Sequence, residues 1–233
     1  MENIKTLAID IGHNVNFDSG AVGIRKEDEL NKLVGETLIN KFNSTNINVI
    51  NCTPYNAASL HDSLNQRTFA ANKGKADFFI SIHHNSGGGR GSEALCFTGG
   101  IAEKVGNSVL NQLSNIGFSN RGVKGRRDLF VINQTIMPAL LIECAFCDSE
   151  NDMNGYNPQS VANAIFKGIC NVFDIYSNND VGFNENQIFY NVAKGDTLCK
   201  IAGKFNTTVE SLVDLNGIKD KNLIYVGQDI RIK

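Results

Sequence analysis

Short apolar runs alternate with stretches of helical period along most of the chain. The runs predict strands at Thr6–Ile11, Ile47–Cys52, Phe78–His83, Glu93–Phe97, Leu129–Ile132 and Leu140–Glu143. The amphipathic stretches between them predict helices over about 28–43, 58–73, 101–116 and 159–175. This alternation is typical of an α/β domain with a mostly parallel open sheet flanked by helices.

Residues 177–187 are polar and rich in asparagine, without either apolar period, and predict a linker. The linker divides a predicted domain over 1–176 from a small module over 188–233. The module has two β runs that enclose two short helical patterns, which predicts a β-α-α-β fold over Phe189–Val192, Thr197–Phe205, Val209–Leu215 and Ile230–Ile232.

Composition narrows the class of protein. With 233 residues, of which 42% are hydrophobic, the chain is long enough for a sizeable core and a second small unit. A net charge of −2 and the lack of a Lys/Arg stripe argue against nucleic acid as a partner. No apolar stretch approaches the ~20 residues of a membrane span, and the N-terminus lacks a secretory core. We therefore expect synthesis in the cytoplasm without a signal peptide, no membrane partner, and six reduced cysteines.

Four polar residues lie at or near the ends of apolar runs: His13, Glu27, His83 and Glu143. The carboxyl ends of parallel strands meet at one edge of a sheet, so residues distant in sequence can converge there. A His, Glu, His set supplies the three ligands of a catalytic zinc and leaves a fourth position for water. The pattern indicates a hydrolytic zinc centre.

Two choices within this set depend on local periodicity. A helical pitch of ~100° per residue places Glu27 on the apolar face of its helix and Glu29 toward solvent, which favours Glu27 as the ligand. Strand alternation points His83 and His84 to opposite sides of the sheet. However, apolar residues occupy both the odd-numbered and the even-numbered positions of this strand, so neither side is marked as the core side. Periodicity alone leaves the choice of histidine open.

Glu143 closes an apolar run, where a carboxylate is either a hydrogen-bonded structural group or a functional acid or base. Beside an activated water it could accept the proton and pass it to a leaving amine. Arg127 is a candidate contact for an anionic substrate group. The competing interpretation is a solvated basic turn formed by Arg121, Lys124, Arg126 and Arg127.

Over about residues 1–175 the chain resembles the zinc-dependent N-acetylmuramoyl-L-alanine amidases of the amidase-3 family. The resembling segments are, in order, Asp10–His13, Ser19–Gly23, Glu27–Asn31, Ser81–Asn85, Gly91–Ala94, Arg127–Val131 and Pro138–Glu143. The chain departs from common members at Asn14–Asn16, where a glycine-rich turn is usual, and at Cys144, where glycine is frequent.

This resemblance implies one Zn²⁺ held by His13, Glu27 and His83, because the family pattern His-x-Asn selects His83 over His84. It implies Glu143 as the catalytic glutamate, and we assign Asn85 and Arg127 to substrate binding. The implied reaction is hydrolysis of the amide between N-acetylmuramic acid and L-alanine of the stem peptide.

The C-terminal module is similar to LysM, the repeat that binds peptidoglycan and chitin. The matching segments are Tyr190–Val192, Lys194–Leu198, Ile201–Ala202, Lys204–Thr208, Leu215–Asn216 and Asn222–Gln228. The similarity implies a shallow groove for N-acetylglucosamine, lined by Gly195, Asp196, Thr197, Leu198, Asn222, Leu223, Ile224 and Tyr225.

Together the two resemblances imply a peptidoglycan hydrolase that acts at the bacterial cell wall, as a phage or prophage endolysin. The alternatives are a host sporulation or mother-cell lysis amidase, a zinc peptidase that cuts within the stem peptide, and a wall-binding protein without activity. A glycosidase is disfavoured because the sequence does not indicate its paired carboxylates.

Overall fold

The computed structural model describes the whole chain except residues 1–2, 174, 176–188, 194, 219, 227 and 233. The chain separates into two compact units, Met1–Asn179 and Asp180–Lys233. The predicted linker over 177–187 lies outside the described residues. Within the described part of the chain, every helix is too short or too polar to span a bilayer.

The first unit is a six-stranded sheet between two layers of helices, which confirms the predicted fold class. Its elements follow one another as β1 (Thr6–Ile11), α1 (Glu27–Asn43), β2 (Asn48–Asn51), α2 (Leu60–Lys73), β3 (Phe78–Asn85), β4 (Ser92–Cys96), α3 (Ile101–Asn115), β5 (Asn120–Gly125), α4 (Phe130–Asn133), β6 (Ala139–Phe146), α5 (Glu150–Met153) and α6 (Pro158–Cys170).

The strand order is β2-β1-β3-β6-β4-β5, and β4 and β5 run opposite to the other four strands. One face packs against α1, α3 and α6 through a large apolar cluster that includes Ile80 and Ile142. The other face packs against α2 and α4 through a smaller cluster that includes Phe79 and Leu141. Because helices cover both faces of the sheet, the residues that point to either face of the central strands are apolar.

One predicted strand was wrong, and one strand of the sheet was not predicted. The run Leu129–Ile132 is not a strand: Leu129 precedes the short helix α4, whose Val131 and Ile132 pack on the α2 side of the sheet. An apolar run of four residues cannot distinguish a buried strand from a buried helical turn. The strand β5 was missed because its sequence is polar, as suits a sheet edge where charged side chains discourage pairing with another chain.

The strands that carry the candidate site are longer than predicted. β3 continues to Asn85 and β6 to Phe146, so His83 and Glu143 lie inside their strands rather than at the ends. In the parallel register they are direct neighbours, and Glu93 of β4 is the antiparallel neighbour of Glu143. By strand alternation these side chains lie on the face that α2 and α4 only partly cover.

The second unit is a β-α-α-β module built from β7 (Phe189–Asn191), α7 (Leu198–Lys204), α8 (Val209–Asn216) and β8 (Asp229–Arg231). The two strands pair antiparallel. Thr197 and Thr208 cap the two helices by accepting backbone N–H groups, and Gly217 ends α8 in the left-handed conformation. Leu198, Ile201, Leu212 and Ile230 form its small core.

The contact between α3 and α6 generates a stability prediction. A Cβ at Gly168 would lie 2.5 Å from Val109 Cα, so Gly168→Ala forces the helices apart and should destabilise the first unit by roughly 1–3 kcal/mol. Gly203→Ala, also within a helix but facing open space, should be neutral or stabilising. Scanning calorimetry checks both, and an unchanged transition in Gly168→Ala would contradict the packing argument.

Candidate metal centre

His13 lies in the turn that follows β1, with its imidazole directed at Glu27. His13 and Asn14 both adopt left-handed backbone angles, with φ of 59° and 65°, a conformation that is uncommon for residues with a side chain. Nδ1 of His13 is 2.8 Å from Asp18 Oδ1, and Nε2 is 3.3 Å from Glu27 Oε1. If Nδ1 carries the hydrogen bonded to Asp18, Nε2 presents its lone pair to the site.

Glu27 is the first residue of α1 and is buried, as its helical phase predicted. Its Oε2 accepts a hydrogen bond from the Ala21 backbone N–H at 2.9 Å, and Oε1 accepts one from the His84 backbone N–H at 3.2 Å. A Cβ at Gly20 would lie 2.7 Å from Oε2, so the loop before the helix reaches the carboxylate only because residue 20 has no side chain.

His83 completes the cluster from β3. Its Nδ1 is 3.1 Å from Glu27 Oε1, and its ring meets that of His13 edge to face with centroids 4.8 Å apart. A Cβ at Gly12 would lie 2.2 Å from His83 Nε2, so the residue that follows β1 must be a glycine for this ring to fit. Three donor atoms, one from each of His13, Glu27 and His83, all lie within 4.8 Å of one another.

His84, which periodicity could not separate from His83, is buried on the opposite side of β3. Its Nδ1 lies 2.7 Å from Asn31 Oδ1, and its Nε2 lies 2.5 Å from the Tyr156 hydroxyl. Burial lowers the pKa of His84 to about 3, so the ring is neutral, with one nitrogen donating to Asn31 and the other accepting from Tyr156. Both ring nitrogens of His84 are therefore hydrogen-bonded within the core.

The electrostatics of the cluster suit a cation. Burial lowers the pKa of His13, but its hydrogen bonds to Asp18 and Glu27 outweigh burial and raise it to about 10. Burial raises the pKa of Glu27, but the hydrogen bonds to His13 and His83 overcome this and hold it far below its usual range. The buried Glu27 carboxylate therefore stays ionised and favours a positive charge beside it. Two imidazole nitrogens and one carboxylate oxygen form a donor set that fits zinc.

Glu143 lies beside this cluster on β6. Its carboxyl is largely buried, and among the described residues Oε2 has no hydrogen-bond partner. Burial is the main cause that raises the pKa of Glu143 to about 7; the neighbouring charges of Glu27 and Glu93 raise it further, and those of His83 and His13 lower it. A carboxyl with this pKa can accept and return a proton near neutral pH.

A second carboxylate, Glu93, pairs with two cations next to Glu143. Its Oε2 is 2.8 Å from Arg121 Nε and 2.6 Å from Lys124 Nζ, and Asn85 Nδ2 lies 3.3 Å from Oε1. Burial raises the pKa of Glu93, but its bonds to Arg121 and Lys124 outweigh this and lower it. The structure thus places Arg121 and Lys124 on the edge strand β5, where both side chains are exposed and form salt bridges with Glu93.

Arg127 lies elsewhere. Its guanidinium stands over the Phe97 ring, 5.4 Å from the centroid. Phe97 follows β4, which runs opposite to β6, so this contact is at the far edge of the sheet from the carboxyl ends of β1 and β3. Arg126 is paired with Asp128. The substrate roles assigned to Arg127 and Asn85 stay predictions.

In the second unit a groove of about 380 Å³ runs between the two predicted loops. It is lined by Asp196, Thr197, Leu198, Cys199, Val209, Glu210, Lys221, Asn222 and Ile224. Leu223 and Tyr225 are exposed on the same loop, and Gly195 turns the other loop with a φ of 88°. Asp196 orders that loop by accepting hydrogen bonds from the Tyr190 hydroxyl and the Ala193 N–H.

Several residues that support the cluster were not predicted from the sequence. Asp18 orients His13, and Arg67 of α2 reaches Asp18 and the backbone at the end of β1. Asn31 lies one helical turn after Glu27 and donates to the Gly12 carbonyl. The spacing of Glu27 and Asn31 on one helix face was a usable signal, whereas nothing local marked Asp18 or Arg67.

The family comparison agrees with this fold. Residues 7–173 match the Amidase_3 family model, described as N-acetylmuramoyl-L-alanine amidase, and residues 190–233 match the LysM domain model. Because the first match covers well over half of the sequence, the chain belongs to the Amidase_3 family. It carries a LysM domain at its C-terminal side.

Relatives of different biological origin align with the chain. It is 32% identical over 174 residues to an uncharacterized 38.4 kDa protein of Clostridium perfringens, covering 70% of this chain and 50% of that protein. It is 38% identical over 112 residues to the sporulation-specific N-acetylmuramoyl-L-alanine amidase of Bacillus subtilis, covering 47% and 44%. The endolysin of Bacillus phage SPP1 is 29% identical over 175 residues, covering 70% and 63%. The chain thus spans about half the length of the first two relatives.

Among solved structures, the catalytic domain of CwlV, an N-acetylmuramoyl-L-alanine amidase from Bacillus (Paenibacillus) polymyxa, superposes with a TM-score of 0.63 at 27% identity. The superposition covers 73% of this chain and 98% of that domain. This likeness supports the α/β architecture of the first unit.

The contact between Gly12 and His83 predicts the effect of a small side chain. Gly12→Ala should push the His83 ring away from Glu27 and lower zinc affinity on the order of 10-fold or more. Gly100→Ala, at a position with open space before α3, should retain zinc. Zinc content after dialysis, with circular dichroism to verify folding, checks the pair. Full zinc retention in Gly12→Ala would show that the ring position is not needed.

Proposed function

We propose that the chain hydrolyses the amide between N-acetylmuramic acid and L-alanine of the peptidoglycan stem peptide, using a zinc ion held by His13, Glu27 and His83. The observation that carries the proposal is the convergence of these three donor groups beside the buried carboxyl of Glu143. Membership of the Amidase_3 family supports the choice of bond.

When bound, zinc would polarise the scissile carbonyl and lower the pKa of the attacking water. Glu143 accepts a proton from that water as its oxygen bonds to the carbonyl carbon. The same carboxyl then donates the proton to the alanine nitrogen as the carbon–nitrogen bond breaks. Its burial suits both steps, because a carboxyl with a pKa near neutrality can serve as base and acid in turn.

The groove of the LysM domain is proposed to bind N-acetylglucosamine units of the same polymer. Its lining joins apolar contacts from Leu198 and Ile224 to the polar groups of Thr197 and Asn222, a combination that suits a sugar ring and its acetamido group. One such domain binds weakly, so its role is to raise the enzyme's local concentration on the cell wall.

The proposed biological role is that of a phage or prophage endolysin. The SPP1 endolysin supports this role because its match extends over more of the chain than the match to the sporulation-specific amidase. A host sporulation amidase is the alternative. A peptidase that cuts within the stem is distinguished by its products: an amidase exposes the amino group of L-alanine on intact stems.

The proposed role of Glu143 predicts that a substitution there abolishes activity without reducing zinc binding. Glu143→Gln should keep zinc and lose activity by roughly 10²–10⁴-fold, because the glutamine amide cannot act as a general base or acid. Glu27→Gln should lose zinc, and Glu150→Gln, an exposed glutamate of α5, should change neither property. Zinc analysis and alanine end groups released from purified cell walls are the measurements. A fully active Glu143→Gln enzyme would remove Glu143 from the mechanism.

The proposed role of the groove predicts that removing a polar side chain from its lining weakens binding to the cell wall. Asn222→Ala should weaken adsorption to peptidoglycan about 2- to 10-fold, the value of one hydrogen bond. Asp214→Ala, on the exposed side of α8, should bind normally. Both are measured by sedimentation with insoluble cell walls in the Glu143→Gln background, so that the polymer stays intact. Equal adsorption of the two variants would place the glycan elsewhere.

A further inference from the structure

A buried arginine lies beneath the candidate metal centre. The Arg67 side chain extends from α2 toward the end of β1 and is only 1% exposed. Its NH1 group donates to Asp10 Oδ1 and the Ile11 carbonyl, its NH2 group donates to the His13 carbonyl and Asp18 Oδ2, and Nε donates to Ser63 Oγ. All five N–H donors of the guanidinium are used.

Four of these five acceptors belong to residues 10–18, the segment that carries His13. The segment needs external support, because His13, Asn14 and Phe17 all have positive φ, a conformation that residues with a side chain rarely adopt. Bonds to the carbonyls of Ile11 and His13 fix the backbone on both sides of the first unusual turn. The guanidinium therefore holds the conformation that directs the His13 side chain to the site.

The same guanidinium reaches the His13 ring through Asp18. Asp18 Oδ2 accepts hydrogen bonds from Arg67 and, at 2.6 Å, from the Ser63 hydroxyl, while Oδ1 lies 2.8 Å from His13 Nδ1. With both oxygens engaged, the carboxylate cannot rotate. Its hydrogen bond keeps a proton on Nδ1, so the nitrogen that would give up its proton to a metal ion is Nε2, which faces Glu27.

We propose that Arg67 is a positioning residue of the metal centre, which acts through Asp18 and the His13 backbone to set the direction of His13 Nε2. Arg67 touches neither Glu27 nor His83 in the contacts described. Its charge also balances the buried carboxylates of Asp10 and Asp18, so it must remain cationic for the segment to stay folded. This role rests on the proposed zinc site.

The test is Arg67→Lys in the full chain. Lysine keeps the charge but has only three donors on one nitrogen, so it cannot reach two carboxylates and two carbonyls together. We expect zinc affinity, measured by competition with a chromophoric chelator, to fall ~10- to 100-fold, with altered absorption bands of the cobalt(II)-substituted protein. Ser63→Ala, which removes one support of Asp18, should give a smaller loss in the same direction.

Gly168→Ala is the matched control, because it destabilises the same unit from a helix contact outside the site. A positioning role predicts wild-type zinc affinity and cobalt spectrum in this variant. An equal loss of affinity in Gly168→Ala would show that reduced stability alone explains Arg67→Lys. Unchanged affinity and spectrum in Arg67→Lys would overturn the proposal directly.

A double-mutant cycle with Asp18→Asn tests the route of action. If Arg67 acts largely through Asp18, the double variant should lose much less affinity than the product of the two single losses. Fully independent losses would overturn the route through Asp18. The wild-type protein separates the two proposals: failure to bind zinc at all would refute the zinc site itself, whereas wild-type binding with unaffected variants refutes only the role of Arg67.

Discussion

The burial of one negative charge, that of Glu27, is the constraint on which the site depends. A carboxylate removed from water is costly unless partners surround it, and here they come from three separate parts of the chain. The start of α1 adds the positive end of the helix dipole. Since His13 and His83 both contact the same oxygen, the arrangement that satisfies the carboxylate also brings together three groups that could hold a metal ion.

Support for this cluster comes from both faces of the sheet. On the α2 side, Arg67 and Asp18 hold the turn after β1 and orient His13. On the α1 and α6 side, Asn31 links the Gly12 carbonyl to His84, which continues to Tyr156. The end of β1 is therefore held between two buried polar networks. Such fully bonded networks keep side chains in one geometry, which a metal centre requires.

Close packing sets the shape of the site as strongly as charge does. Gly12 and Gly20 allow the His83 ring and the Glu27 carboxylate to approach backbone that any side chain would obstruct. On β6, Glu143 remains within a buried strand, where a low-polarity environment keeps its proton exchangeable near neutral pH. The parallel register thus places His83, a proposed metal ligand, directly beside Glu143, the proposed proton acceptor, on adjacent strands.

The sequence by itself determined the α/β class, most helices and central strands, and the burial of Glu27, because apolar period and helical phase are local properties. It did not separate His83 from His84 by periodicity, since a sheet covered on both faces is apolar in both parities. It misassigned Leu129–Ile132 and missed β5, where a short run and a polar edge carry little periodic signal. Only the tertiary structure decided the contacts of Arg67, Asp18 and Glu93. These pairings join residues far apart in the chain, and packing, not local pattern, brings such charges together.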